Sequence, residues 1–329
     1  AGETATVTIT FSEVVDDLAD GDLIVVGSGA LSALTQDSGN GAVWTATFTP
    51  TADIEDASTV VQLTASGITD AAGNTGAGVV SSSNVDIDTL APSASIALGK
   101  SALKAGETTD VTVSFSEAVT GFDASADLSV TSDAGTLGSF TSTDGGLTYV
   151  GTFTASNSVS QTGNTITLAN TGVADAAGNA GTGTTVSAAF DTDGVRPTVS
   201  SIVLSDTSLS AGETTTVTIT FSEAVSGLSV GDFSVEGGAL TGLSTADSGT
   251  TWTATFTPTS DVEDGSNLIT LAAESVLDAA GNTNAAAASS GSYAIDTLRP
   301  TASVTLDKAS LKAGETATVT ITFSEVVDD

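Results

Sequence analysis

The chain of 329 residues has no cysteine, no histidine and no methionine. Without cysteine, no domain can lean on a disulfide, and thiolate metal sites and thiol nucleophiles are excluded. Without histidine, serine nucleophiles lack their usual base and hydrolytic metals lack their usual ligands. Aromatic residues are scarce at 5% and proline numbers 5. No run of 18 apolar residues exists to span a membrane, and no signal peptide is present. Basic residues are nearly missing too: 6 Lys and Arg stand against 40 Asp and Glu, a formal net charge of −34. Such a surface repels nucleic acid and anionic lipid, so neither is expected as a partner.

An acidic chain rich in Gly, Ser and Thr invites the reading of disorder. The apolar residues argue against it, because they alternate strictly. Val7, Ile9 and Phe11 alternate with threonines, as do Val111, Val113, Phe115 and Val217, Ile219, Phe221. Trp44, Ala46 and Phe48 form a second such run, matched by Tyr149, Gly151, Phe153 and by Trp252, Ala254, Phe256. Period-two alternation is the pattern of half-buried strands.

Self-comparison exposes a repeat. Ala-Gly-Glu-Thr begins at Ala1, Ala105, Ala211 and Ala313, and each following strand closes on Phe-Ser-Glu at Glu13, Glu117, Glu223 and Glu325. Asp-Ala-Ala-Gly-Asn recurs at residues 70–74, 175–179 and 278–282. An Asp-Thr pair precedes a proline at Asp88…Pro92, Asp191…Pro197 and Asp296…Pro300. The middle spacing is longer, and its extra residues bring in Asp193 and Gly194. Residues 1–17 and 313–329 are identical, so the chain reads as an excerpt of a longer array. About seven short strands per ~100 residues predict an all-β fold, a tandem array of Ig-like seven-stranded β-sandwiches. The expected domains are 1–90 (lacking its first strand), 91–194, 195–298 and a fragment, 299–329.

These three motifs, recurring in register over the whole chain, resemble the bacterial Ig-like repeats of giant secreted adhesins, the RTX-type and biofilm-associated surface proteins of Gram-negative bacteria. The resemblance implies an extracellular, calcium-loaded extender that holds a distal binding domain away from the cell. The glycine-rich nonapeptide calcium repeat of RTX tails is absent from this sequence.

Strand directions in a sandwich place the candidate ligands. The second and sixth strands run the same way, so Phe-Ser-Glu, Asp-Ala-Ala-Gly-Asn and the aspartates opening the third strand share one pole. The linker from the preceding domain arrives there too. The first predicted set is Asp88 with Glu117, Asp127, Asp175 and Asn179. The second is Asp191 and Asp193 with Glu223, Asp232, Asp278 and Asn282. A third holds Asp296 and Glu325, and the first domain keeps Glu13, Asp22, Asp70 and Asn74 without a linker. Oxygen ligands without imidazole or thiolate select Ca2+ over zinc or copper. Each element also has a plainer reading: the Gly-Asn turn as a turn, Glu as a solvated strand end. Asp53, Glu55 and Asp56, with Asp261, Glu263 and Asp264, fall at the opposite pole; they could add ligands to the next junction, but the middle domain has no acid at 156–161, and they read as solvation.

Catalysis is not expected, since a carboxylate pair repeated in every domain suits a joint rather than an active site. The neighbouring repeats are the expected partners. Two other functions remain open: a self-associating extracellular fibre or sheath, and a module that binds carbohydrate or a host protein. The aromatic residues that sugar binding would need sit in phase with core phenylalanines.

Overall fold

The computed structural model describes residues 2–327. It divides into two compact units, one of residues 1–103, 107–156 and 161–192, the other of residues 104–106, 157–160 and 193–329.

The first unit carries two β-sandwiches. In the first, Ala5–Thr10, Val43–Pro50 and Gly29–Leu31 make one antiparallel sheet, which Thr35–Gln36 extends. Leu23–Val26, Glu55–Thr64 and Val79–Ser81 face it, and Val85–Asp88 pairs with the same long central strand. In the second sandwich, Gly135–Leu137, Thr148–Ala155, Thr108–Phe115 and Ala94–Leu98 form one sheet. The opposing layer holds Leu128–Val130, Ile166–Ala169 and Thr184–Val186, with Ala102–Lys104, Phe190–Asp193 and Ser160–Asn164 beside them.

Threonine-valine alternation explains the layers. In Thr108–Phe115 the residues Val111, Val113 and Phe115 point inward and are buried, while the intervening residues face out. They pack with Phe153, Ile166, Leu168 and Phe190 into one cluster. Phe153 meets Phe190 edge-on, ring centroids 5.1 Å apart, closing the core between the sheets.

The second unit repeats this plan. Val199–Leu204, Thr215–Phe221, Thr251–Pro258 and Gly238–Thr245 make one sheet, and Ser208–Ser210, Tyr293–Asp296 and Glu263–Asn267 lie in the other. Ser208–Ser210 runs parallel to Tyr293–Asp296, whereas the other strand pairs named here are antiparallel. Residues 302–323 form a hairpin, Ala302–Leu306 against Val319–Phe323, whose apolar side chains are exposed.

The sandwiches appear as expected, but seven strands undercount the segments. The stretch carrying Ile96, Leu98 and Leu103 is two strands on opposite sheets, divided at residues 99–101. The sixth strand likewise splits into Ser160–Asn164 and Ile166–Ala169, each pairing with different neighbours. One alignment also changes. Phe190 and Tyr293 take the same place against Phe153 and Phe256, so Thr192, not Phe190, corresponds to Ile87 and Ile295. Asp193 therefore corresponds to Asp88 and Asp296, and all three linkers reach proline in four residues. Counting Asp-Thr pairs misread this because an Asp-Thr pair at Asp191 falls one strand turn too early.

Candidate metal centre

Three elements of the first unit bring carboxylates together. Val85–Asp88 ends on Asp88, Thr108–Phe115 is followed by Ser116 and Glu117, and the turn 175–179 follows the strand Ile166–Ala169. A carboxylate oxygen from each of Asp88, Glu117 and Asp175 lies within 4.8 Å of the others. Among the described residues this is the one acidic trio that meets so closely.

The turn is built to hold Asp175 and Asn179 inward. Gly178 takes φ +87°, which a side chain would resist, and this lets the chain double back. Asp175 Oδ1 accepts the Asn179 backbone N–H at 2.8 Å, and Oδ2 accepts the Asn179 side-chain amide at 2.8 Å. The same amide donates to the Asp88 carbonyl at 3.0 Å and the Asp88 carboxylate at 3.2 Å. Asp175 is 3% exposed and Asn179 2%, so a buried amide ties Asp88 to the second sandwich.

The electrostatics are unbalanced. Burial pushes the Glu117 carboxyl above its ordinary range, and the charges of Asp175, Asp88 and Glu55 add to the rise. Burial works against ionised Asp175, but the hydrogen bonds from Asn179, with those from the Ala177 and Gly178 backbone, together outweigh it and hold that group below its usual value. Asp175 is thus a fixed anion and Glu117 an anion under strain. Lys100 pairs with Glu107 at 2.5 Å rather than with these acids. Crowded, part-buried carboxylates of this kind fit a hard, oxygen-seeking divalent cation, and no nitrogen or sulfur donor is present for a softer one.

Glu55, whose sequence context reads as solvation, has its backbone directly across the ladder from Asp88. The signal was available in the acidic loop, but only the strand register shows that Glu55 faces the linker aspartate. Asp127 is brought to the same pole without joining the trio. Its Oδ2 accepts the Asp123 N–H at 2.8 Å, closing a single helical turn, Ala124–Asp127, and its carboxylate packs against Gly172. Asp22 and Asp232 do the same for their own turns, accepting Ala19 N–H at 3.0 Å and Ser229 N–H at 2.7 Å.

In the first sandwich, Asp70 accepts Asn74 N–H at 2.8 Å and the Asn74 amide at 2.7 Å, so the same turn forms. Here it is exposed, as is Glu13. These hydrogen bonds, the Asn74 side chain first, hold Asp70 below its ordinary value. In the second unit, Asp278 and Asn282 form the buried turn, and the Asn282 amide reaches the Asp193 carbonyl at 3.1 Å and the Asp278 carboxylate at 2.8 Å. Burial, then Asp278 and Asp193, raise Glu223. Asp191 points elsewhere and accepts Gly163 N–H at 2.9 Å. Asp296 stands across the ladder from Glu263, and Glu325 Oε1 is buried without a hydrogen-bond partner.

The sequence matches the bacterial Ig-like domain family four times, over residues 1–87, 88–192, 193–295 and 296–329. The chain belongs to the bacterial Ig-like domains. No curated protein matches it. Among solved structures it is similar to the Escherichia coli adhesin FdeC, at 17% identity over 89% of this chain and 92% of that one, TM-score 0.34. Invasin, a bacterial integrin-binding protein, is 13% identical over 98% of this chain and 67% of that one, TM-score 0.32. The Yersinia pseudotuberculosis adhesin InvE is 17% identical over 61% of this chain and 58% of that one, TM-score 0.24. The second, third and fourth Ig-like matches begin at Asp88, Asp193 and Asp296, which agrees with the equivalence of these three aspartates in the fold.

Proposed function

We propose that this chain is a calcium-stiffened extender of a bacterial cell-surface adhesin, spacing a binding domain from the cell and so supporting adhesion or biofilm formation. The observation that carries the reading is the convergence of Asp88 with Glu117 and Asp175, because Asp88 ends the last strand of the first sandwich while the other two belong to the second. A spacer needs its repeats to keep a fixed relation, and an ion bound by both repeats supplies that. Asp88 and Glu55 would bind from the first repeat, Glu117 and Asp175 from the second. Asn179 positions Asp88 and Asp175 through its amide.

Calcium sites of extracellular modules have Kd values of about 10⁻⁴–10⁻³ M. At about 10 mM calcium such a site adds roughly 1.4–2.7 kcal/mol by mass action. An extracellular setting fits this affinity, since only outside the cell is calcium that abundant. It also fits a chain with no cysteine to oxidise. No helix of the described residues is long and apolar enough to cross a membrane.

The absence of native cysteine makes the test direct. Spin labels placed through Ser38→Cys and Ser132→Cys report the distance between the first two repeats. Calcium should narrow that distance distribution, and Glu117→Gln should abolish the narrowing. Equal distributions in calcium and in chelator would show a relation set by packing alone.

A further inference from the structure

The equivalence of Asp88 and Asp193 allows the two clusters to be compared residue by residue. Glu117 corresponds to Glu223, Asp175 to Asp278 and Asn179 to Asn282, each following the same motif. Two positions differ. Four residues before the buried Thr59 stands Glu55; four before the equivalent Asn164 stands Ser160. Three residues after Asp88 stands Ala91; three after Asp193 stands Arg196.

Both changes act in one direction. The Ser160 hydroxyl donates to Asp193 Oδ1, an oxygen that also accepts Val195 N–H at 3.2 Å. The position that supplies a carboxylate beside Asp88 thus supplies a proton donor beside Asp193, and the carboxylate count falls from four to three. The Arg196 guanidinium donates to the Thr283 carbonyl at 3.4 Å and hydroxyl at 3.3 Å, which places its charge just beyond the 278–282 turn.

The turn's own amide is taken up differently as well. Asn282 Nδ2 reaches the Val195 carbonyl at 3.3 Å, whereas Asn179 Nδ2 spends the matching bond on the Asp88 carboxylate. Asp193, Glu223 and Asp278 accordingly do not bring oxygens as close together as the Asp88 trio does.

We infer that the Asp193 cluster is closed to divalent cations, because a hydroxyl stands where the Asp88 cluster has a carboxylate and a guanidinium lies beside its turn. Two equivalent places in successive repeats then answer calcium differently: one is set by the ion, the other is set by the polypeptide. One cluster then follows the calcium concentration and the other ignores it. Glu263 and Arg299 stand at the corresponding positions around Asp296, so the next repeat mixes the two patterns. The inference rests on the calcium reading of the Asp88 cluster only for the contrast between the two, not for the closure of the second.

Calcium bound per chain, measured by equilibrium dialysis of the full chain, tests it with three variants. Glu117→Gln should lose an ion relative to the parent, Glu223→Gln should lose none, and Ser160→Glu with Arg196→Ala should gain one. Ser160→Glu alone, with its fold checked by circular dichroism, covers the case in which the double variant does not fold. Loss of an ion from Glu223→Gln overturns the inference, and so does a folded Ser160→Glu variant that gains nothing. If Glu117→Gln loses no ion while Ser160→Glu gains one, the closure of the Asp193 cluster stands and the calcium reading of the Asp88 cluster falls.

Discussion

Glu55 stands directly opposite Asp88 in an antiparallel ladder, and its charge reaches Glu117 in the following repeat. An acid on the departing end of one sandwich therefore acts on the arriving end of the next. On the calcium reading proposed above, Glu55→Gln removes one of four charges that would face the cation. Calcium affinity at this cluster should fall about two- to tenfold, the span of ~0.4–1.4 kcal/mol. Titration calorimetry with calcium measures it, and an unchanged affinity would place Glu55 outside the ion's reach.

Glu117→Gln should change sign with the medium. In chelator the substitution removes a carboxylate whose ionisation is opposed by burial and by three neighbouring acids, so the second repeat should gain stability. The sign follows from the raised folded value: the native state favours the protonated acid, and this contribution fades as pH rises from 4.5 through the folded value. Glutamine keeps the neutral state at every pH. In millimolar calcium the same change removes a ligand, and stability should drop. The gain in chelator and the loss in calcium should each move the melting midpoint by a few degrees, in opposite directions. Two calorimetric scans at neutral pH decide the matter.

Much of this was legible in the sequence, and what was not has definite causes. Alternation such as Val111, Val113, Phe115 identifies strands because each side chain faces the layer that its parity dictates. The Asp-Ala-Ala-Gly-Asn turn and Phe-Ser-Glu meet because parallel second and sixth strands end at one pole, which connectivity alone implies. Register is different, since it depends on pairings between distant strands. That is why Glu55 passed for a solvated loop acid, and why Asp191 was matched to Asp88 two residues early. Asp127 shows a third limit: its place at the pole followed from sequence, but its local bond to Asp123 N–H did not. Short polar side chains readily cap their own turn, and such a bond competes with any site they approach.

Asn179→Ala and Asn74→Ala form a matched pair. The Asn179 amide is buried and donates to Asp175 and to two oxygens of Asp88, so its removal strands acceptors away from water. The cost should be about 1–3 kcal/mol, the penalty for buried groups left unpaired. Asn74 makes the same bond to Asp70 but at an exposed turn, where water replaces the amide. Its removal should cost under about 1 kcal/mol. Urea unfolding of the two variants gives the comparison, and equal losses would mean that Asn179 acts only as a turn residue.

Tyr293 sets an alkaline limit for the third repeat. The side chain is 1% exposed, stacks edge-on with Phe256 at 5.1 Å, and donates its phenolic O–H to the Glu236 carbonyl. Burial, followed by the charges of Glu236 and Asp264, pushes its ionisation up to about 12. The folded value lies above the ordinary 10.0, so the neutral phenol's contribution is complete below pH 10 and declines as pH rises towards 12. Removing the proton would also turn the donor at the Glu236 carbonyl into a second acceptor, so the charged form has nowhere to go inside this core. Unfolding of the third repeat and ionisation of Tyr293 should therefore proceed together. Phenolate absorbance and far-ultraviolet circular dichroism, followed between pH 9 and 13, should show a shared transition. Tyr293→Phe keeps the ring stacked and gives up the hydrogen bond, at about 0.5–1.5 kcal/mol near neutral pH. In exchange the variant should lose the tyrosine-linked part of the alkaline transition, so its stability relative to the parent improves as pH climbs past 10. A variant that unfolds in base with the same midpoint and steepness would assign the limit to the general repulsion of a chain with net charge −34.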